Sequence, residues 1–256
     1  MRYGNQLVLF FLLPFFLLAV GCSSVYHLAD EQVQTYRITD KTSDNDPDSP
    51  IEQMIEPYRN ELSAEMNEMI GLAASTLEKG DVESTLGNWV ADAVLAEAEL
   101  ITHEKYDFGI CNSGGIRVTS LPAGPITRRH IYELMPFDNY LVTMEVSGVV
   151  VKKLFQHMAE VGGWPISHGV SYEIKNQKAQ NILIHDQPID PGATYSFVLS
   201  DYLAEGGGNL DFLKEFPYRN LNIYYRDALI EHVVLQHAAS VSIDARIEGR
   251  VINLDQ

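Results

Sequence analysis

A sheet strand that ends in an open turn is written into this chain, because the apolar run Tyr106 to Cys111 gives way at once to Asn112-Ser113-Gly114-Gly115-Ile116-Arg117. Gly114 and Gly115 accept positive φ without a Cβ clash, so backbone there can approach a ligand closely. Asn112 offers an amide that both donates and accepts, and Arg117 a planar fork that matches a carboxylate or phosphate. Together they are the parts of an anion-binding loop. A glycine pair beside a polar residue is by itself an ordinary turn signal. The loop gains weight from two further segments of the same character, Pro136-Phe137-Asp138-Asn139 and Tyr202-Leu203-Ala204-Glu205-Gly206-Gly207-Gly208-Asn209, each of which sets an aromatic ring beside polar or glycine neighbours.

The N-terminal residues read as an export signal. Arg2 supplies a positive start, Leu7 to Leu18 an apolar core broken by Pro14, and Ala19-Val20-Gly21 small or apolar residues before Cys22. The apolar run is too short for a comfortable membrane span. Its end resembles a bacterial lipoprotein box, which implies that residues 1–22 are a lipoprotein signal peptide and that Cys22 is the acylated first residue of the mature protein. Ser23 is not the aspartate associated with inner-membrane retention. The implied location is therefore that of an exported, membrane-anchored lipoprotein, in the periplasm or at the outer membrane. Residues 23–50 turn polar and end in Asp44-Asn45-Asp46-Pro47-Asp48-Ser49-Pro50, a composition that buries too little apolar surface to offset the entropy of ordering, and are expected to be a flexible tether.

Residues 51–256 fit a single domain. With Cys22 lipidated, Cys111 has no disulfide partner, so the domain must be held by its core. Acidic residues number 35 against 18 basic ones, a net charge of −17. That balance argues against a nucleic-acid polymer or an acidic membrane surface as the main partner, whereas a small anion needs only one or two local arginines.

Ile51, Met54, Ile55, Tyr58, Leu62, Met66, Met69 and Ile70 recur at spacings of three and four and predict a helix with one buried stripe, ragged at Pro57. Leu72 to Leu77 reads as a short strand and Thr85 to Leu100 as a helix with Leu86, Trp89, Val90, Ala93, Val94 and Ala96 facing inward. Leu121-Pro122-Ala123-Gly124-Pro125 is a turn, after which Thr127 caps a short helix, Arg128 to Leu134. Tyr140 to Val146 alternates, with Leu141, Thr143 and Glu145 on one face and Val142, Met144 and Val146 on the other. Ser147 then caps a helix, Val149 to Glu160. Strands follow near Val170 to Lys175, Asn181 to His185 and Tyr195 to Leu199, then a helix from Asp227 to His237 and a closing strand from Ile247 to Leu254. Strands and helices without strict alternation predict an α+β domain with a mixed β-sheet and packed helices.

With these segments in order, residues 51–256 resemble the C-terminal, substrate-binding domain of the 5′-nucleotidase family. The resemblance is carried by Glu83-Ser84-Thr85-Leu86-Gly87-Asn88-Trp89-Val90-Ala91-Asp92-Ala93, the loop Asn112 to Arg117, the turn Leu121 to Thr127, Pro136 to Asn139 and the glycine loop after Tyr202. It implies that Phe137 and Tyr202 sandwich the base of a nucleotide, that Asn112 and Arg117 make polar contacts near the sugar, with Gly114 and Gly115 forming the turn, and that Asn139 neighbours the stacked base. Stacking of this kind is worth about 1–3 kcal/mol per base and tolerates different bases. Relatives carry an aspartate for the ribose hydroxyls where this chain has Gly208; Glu205 and Asn209 are the nearby polar candidates, neither at the matching place.

Family members also begin with a metallophosphatase domain, whose two metal ions activate water. This sequence shows no Asp-x-His, Gly-Asn-His-Glu or His-x-His, its histidines are scattered, and the span from Cys22 to Ile51 is too short for such a domain. The expectation is therefore a chain with no catalytic residue, metal or cofactor of its own, divalent metals being supplied by a partner metallophosphatase. It would hold a nucleoside monophosphate or nucleoside as the recognition half of a split 5′-nucleotidase. The alternatives are a nucleoside- or nucleotide-binding lipoprotein with no enzymatic partner, and a scaffold whose ligand loops have decayed. His232 and His237 lie five apart on a predicted helix and do not share a face. Ser113 lacks a nucleophile-elbow context, Gly206-Gly207-Gly208 lacks the Lys of a phosphate loop, and Cys111 reads as a buried inert thiol.

Overall fold

The structure, a computed structural model, describes residues 50–255. The signal peptide, Cys22 and all of the tether except Pro50 fall outside the described residues. The elements in chain order are α1 (Pro50–Met66), β1 (Met69–Ala73), β2 (Leu77–Glu78), α2 (Thr85–Thr102), β3 (Phe108–Gly109), β4 (Ser120–Leu121), β5 (Gly124–Thr127), α3 (Arg128–Leu134) and β6 (Tyr140–Ser147). They continue with α4 (Gly148–Glu160), β7 (Val170–Lys175), β8 (Lys178–Ile184), β9 (Gln187–Pro188), β10 (Thr194–Ser200), α5 (Asp201–Ala204), β11 (Tyr218–Tyr224), α6 (Tyr225–Ala238) and β12 (Val251–Asn253). Helices pack around mixed sheets, an α+β architecture, and a compact unit runs from Ile55 onward.

The alternation in Tyr140–Ser147 organises that unit. β6 is flanked by antiparallel β11 and β10, and β10 in turn pairs in parallel with β3, giving a four-stranded sheet in the order β11-β6-β10-β3. Successive side chains of a strand point to opposite faces, so β6 feeds two cores. Leu141 joins one with Val198 and the inner faces of α2, α3 and α6, including Trp89, Val94, Ile131, Leu134 and Leu229. Val142, Met144 and Val146 join the other with Phe197, the α4 residues Val151, Leu154 and Phe155, and Tyr172 of β7. At the centre of this second core Phe108 stacks on Phe197 at 5.0 Å between ring centroids and meets the edge of Phe155 at 5.8 Å. A second four-stranded sheet, in the order β12-β7-β8-β9, contributes its Tyr172 and Ile174 to the same core.

Local chemistry explains several boundaries. The side chain of Ser84 accepts from the Gly87 amide at 3.1 Å and starts α2, and His103 stops it in the left-handed conformation. Thr127 and His130 form a reciprocal capping box at the start of α3, the Thr127 amide donating to His130 Nδ1 at 3.0 Å. Ser147 occupies the cap position of α4 without a side-chain hydrogen bond.

The structure departs from the sequence reading in several places. α1 buries none of its residues, Tyr58 being 71% exposed, and it ends at Met66; Met69 and Ile70 belong to β1. Their spacing continues the helical period, yet pairing with β5 extends the backbone, and β1 lies so close to α6 that a Cβ on Gly71 would come 2.5 Å from Val233 Cγ1. The segment read as one strand, Leu72 to Leu77, is divided between β1 and β2, which pair with β5 and β4 respectively. Ala96 faces solvent, and Leu95 and Ala98 take the inward places on α2. β11 is not legible in the sequence because its polar Arg219, Asn220 and Asn222 hide the alternation; pairing with β6 makes it a strand.

Candidate functional site

Parallel pairing puts the ends of β3 and β10 side by side, with Phe108 opposite Phe197 and Gly109 opposite Val198. β6 runs the other way, with Leu141 opposite Ser200, so its beginning lies where β10 ends. Three loops distant in sequence therefore share one end of the sheet: Asn112 to Arg117 after β3, Pro136 to Asn139 before β6, and α5 with the glycine loop after β10. Between them is a cleft of about 360 Å³ lined by Asn112, Gly114, Gly115, Arg117, Phe137, Asn139 and Tyr202. All seven candidate residues thus come together in one cavity.

Each loop is held by backbone hydrogen bonds. The Asn112 carbonyl accepts from the Gly115 amide at 2.9 Å, closing a 3-10 turn over Ser113–Gly115, and the Arg117 amide donates to the Leu134 carbonyl at 2.9 Å. Neither Gly114 nor Gly115 adopts positive φ, contrary to the expectation from sequence. What Gly115 provides is proximity: a Cβ there would stand 3.1 Å from Asn112 Oδ1 and 3.5 Å from Cys111 Sγ. Ser113 Oγ donates to the Gly163 carbonyl at 3.2 Å, a structural role. Arg117 Nη1 donates to the Gly114 carbonyl at 3.3 Å, and its guanidinium carbon lies 6.0 Å from the Phe137 ring centroid. One cation thus faces the cleft beside an aromatic face, in a protein of net charge −17.

The Phe137 loop is tied down by α6. The Tyr225 amide donates to the Asn139 carbonyl at 2.7 Å, and Arg226 Nη2 donates to Asp138 Oδ1 at 2.9 Å. Arg226 is buried, with its guanidinium 4.2 Å above the Tyr132 ring. Sequence reasoning missed both residues, since neither lies in a loop of recognisable composition. On the other side, Ser200 Oγ accepts from the Leu203 amide and caps α5, which launches Tyr202. Tyr202 Oη accepts from the Gly208 amide at 3.1 Å, and its ring lies against Gly207 so closely that a Cβ there would come 2.5 Å from both Cε atoms. Phe137 is 37% and Tyr202 46% exposed, so the rings stand open to solvent and are not packed shut as a decayed scaffold would have them.

Beside the cleft a small hollow is lined by Cys111, Met135, Ser200 and Tyr225. Burial pushes the Cys111 thiol up to about 12 and the Tyr225 hydroxyl well above its ordinary range, so both are neutral and do not act as nucleophile or base near neutral pH. Among the described residues no group of three or more His, Cys, Asp or Glu side chains comes together as a metal would need. Several histidines have structural partners: His232 Nδ1 lies 3.0 Å from Glu97 Oε1, His168 Nδ1 3.1 Å from Asp92 Oδ1, and His130 completes the cap of α3. A larger hollow of about 690 Å³ between α4 and β8 is lined by aliphatic and amide side chains with Lys152 and no aromatic ring, and lacks the convergent groups of the cleft.

The family model "5'-nucleotidase, C-terminal domain" matches residues 64–215. The chain belongs to the 5′-nucleotidase family, through its C-terminal domain. The matched span contains all three loops of the cleft. Among curated proteins this C-terminal domain chain is similar to the silent protein UshA(0) of Salmonella typhimurium, 28% identical over 191 residues that cover 70% of this chain and 33% of that protein. It is likewise similar to endonuclease YhcR of Bacillus subtilis, 30% identical over 171 residues, 64% of this chain and 14% of that protein. The chain spans about a third of the length of the UshA-type relatives and less of YhcR. Among solved structures, a 5′-nucleotidase precursor from Thermus thermophilus superposes with a TM-score of 0.68 at 24% identity, over 80% of this chain and 43% of that one. A putative 5′-nucleotidase from Staphylococcus aureus gives 0.64 at 17% identity, over 80% and 44%. At these identities the structural likeness speaks for the fold alone. No helix of the described residues is long and apolar enough to cross a membrane.

Proposed function

We propose that this chain is an exported, lipid-anchored nucleotide-recognition domain, the substrate-holding half of a split 5′-nucleotidase. The observation that carries this reading is the cleft itself, where two half-open aromatic rings, one arginine and two carboxamides converge at the end of the central sheet. A planar base stacks on aromatic faces, the carboxamides bond its edge or the sugar, and Arg117 favours a phosphate. Similarity to the C-terminal domain of 5′-nucleotidases supports a nucleotide-related, substrate-binding role.

In this reading Phe137 and Tyr202 hold the base of a nucleoside monophosphate, Asn112 and Asn139 orient it, and Gly114 and Gly115 let the loop backbone approach. Hydrolysis of the phosphate ester belongs to a separate metallophosphatase, which carries the divalent metals, and Cys22 anchors the complex through lipid. The products, inorganic phosphate and a nucleoside, are released outside the cytoplasm.

The test combines two measurements. Calorimetric titration with adenosine and AMP is expected to show binding that is lost when Phe137 or Tyr202 becomes alanine. Phosphate release by a metallophosphatase domain, assayed with manganese, is expected to rise when this chain is added. Binding without any rate gain leaves a nucleotide-binding lipoprotein, and absence of binding refutes the recognition role.

A further inference from the structure

We infer that the groove between α4 and β8 docks an extended, acidic segment of a partner protein, which adds to the open edge of β8 as a further strand. β8 runs from Lys178 to Ile184, but β9 pairs only with its Leu183 and Ile184. Among the described residues no strand lies beside Lys178 to Ile182 on the side away from β7. An edge of this kind presents backbone donors and acceptors in a row, the template on which strands add. Pro188 has no N–H and blocks growth of the sheet beyond β9, so an added strand has its place beside β8, end to end with β9.

The edge already carries a stand-in for that strand. The Gln156 side chain, reaching over from α4, accepts from the Ala179 amide at 3.3 Å and donates from Nε2 to the Gln177 carbonyl at 3.1 Å. A carboxamide bonded on either side of Lys178 makes the two bonds that one residue of a neighbouring parallel strand would make. The Ala179 N–H therefore faces away from β7, toward a partner. Past Gln156 the edge opens into the groove of about 690 Å³, lined by half-buried Ile182 and Leu183 and by buried Ile189. These aliphatic surfaces take the alternate side chains of an extended peptide whose main chain meets the strand edge.

Charge selects the occupant. Among the described residues lining the groove Lys152 alone is charged; it is exposed and makes no ion pair. α4 and the β7–β8 hairpin together carry Lys152, Lys153, Lys175 and Lys178 against Glu160 and Glu173, a local positive surplus in a chain of net charge −17. The neighbouring carboxylates are turned to amides: Glu160 accepts from Gln156 at 2.8 Å, Glu173 from Asn181 at 2.7 Å and Asp190 from the Gly192 amide at 2.8 Å, and none of the three lines the groove. A segment bearing aspartate or glutamate is drawn to such a site and a basic one is turned away. The groove shares no lining residue with the nucleotide cleft, so the two sites are separate.

Calorimetric titration of the full chain with the acetylated and amidated hexapeptide Val-Glu-Val-Glu-Val-Glu tests this, with Val-Lys-Val-Lys-Val-Lys and Val-Glu-Pro-Glu-Val-Glu as controls. The acidic peptide is expected to bind at least about tenfold more tightly than either control, since one repels Lys152 and the other lacks a ladder N–H. Lys152→Glu, at an exposed position, is expected to keep the parent's melting temperature and adenosine affinity while losing about tenfold for the acidic peptide. Gln156→Ala removes the stand-in and is expected to bind that peptide about threefold more tightly; failure to tighten overturns strand addition at Ala179. Equal affinity for the acidic and lysine peptides overturns the inference, as does absence of binding by all three. A concentration-dependent dimer of the parent that the acidic peptide dissociates overturns it in favour of a second copy of this chain.

Discussion

Gly207→Ala is the most discriminating single change at the cleft, because it moves an aromatic ring without deleting it. The added methyl would stand 2.5 Å from Cε1 and Cε2 of Tyr202 and 2.4 Å from the Tyr202 carbonyl oxygen, against an ordinary carbon–carbon contact of about 3.5–4.0 Å. The ring must therefore swing by about an ångström, a displacement large enough to break a stacking geometry. The half-exposed ring has somewhere to go, but the Tyr202 carbonyl is backbone and the turn must shift with it, so the stability cost falls at the upper end of the usual overpacking range of about 1–3 kcal/mol, including the bond from the Gly208 amide to Tyr202 Oη. The binding cost is the lost stack, about 1–3 kcal/mol, or roughly five- to 150-fold in dissociation constant. Calorimetry with adenosine should find Gly207→Ala and Tyr202→Ala weakened to the same extent, and the double variant no weaker than either. Parent-like affinity in a folded Gly207→Ala protein would show that Tyr202 does not carry the base.

Four further outcomes follow from the structure. The Cys111 thiol titrates at about 12 when folded against 9.0 ordinarily, so the unfolded chain releases this proton first. Its stabilising share is complete below about pH 9 and is lost between pH 9 and 12 at about 1.4 kcal/mol per pH unit, so a urea-midpoint profile as steep for Cys111→Ala as for the parent would contradict this. Phe108→Ala empties a site between Phe155 and Phe197 and should cost about 3–5 kcal/mol in urea denaturation; under 1 kcal/mol would mean the core collapses around the gap. Arg226→Ala should lower stability by about 1–3 kcal/mol, chiefly through the contact with Tyr132, because Asp138 is 74% exposed and an ion pair with so wet a partner is worth little. The same variant frees the Phe137 loop and should weaken adenosine binding about threefold to tenfold, whereas unchanged affinity would show that the Asn139–Tyr225 backbone bond alone holds that loop.

The sequence by itself determined where several elements begin and, in the alternating strand, which side chains share a face. The period-two alternation of Tyr140 to Val146 assigned Leu141 and Val142 to opposite cores, Thr127 announced the start of α3, and the three loops declared themselves by aromatic, amide and glycine content. These are local properties, set by steric period and by hydrogen bonds between near neighbours. Tertiary structure decided what local period leaves open. Parallel pairing of β3 with β10 gathered the three loops into one cleft, and pairing with β6 made a strand of the polar β11. The stripe on α1 has helical spacing and no burial, since periodicity states which residues share a face and not what covers it. Gly208 shows the division most plainly: from sequence its lack of a carboxylate reads as a missing contact, but in space Trp164 occupies the place where that side chain would begin. Excluded volume between residues distant in the chain is a property of the packed core, and no pattern in neighbouring residues carries it.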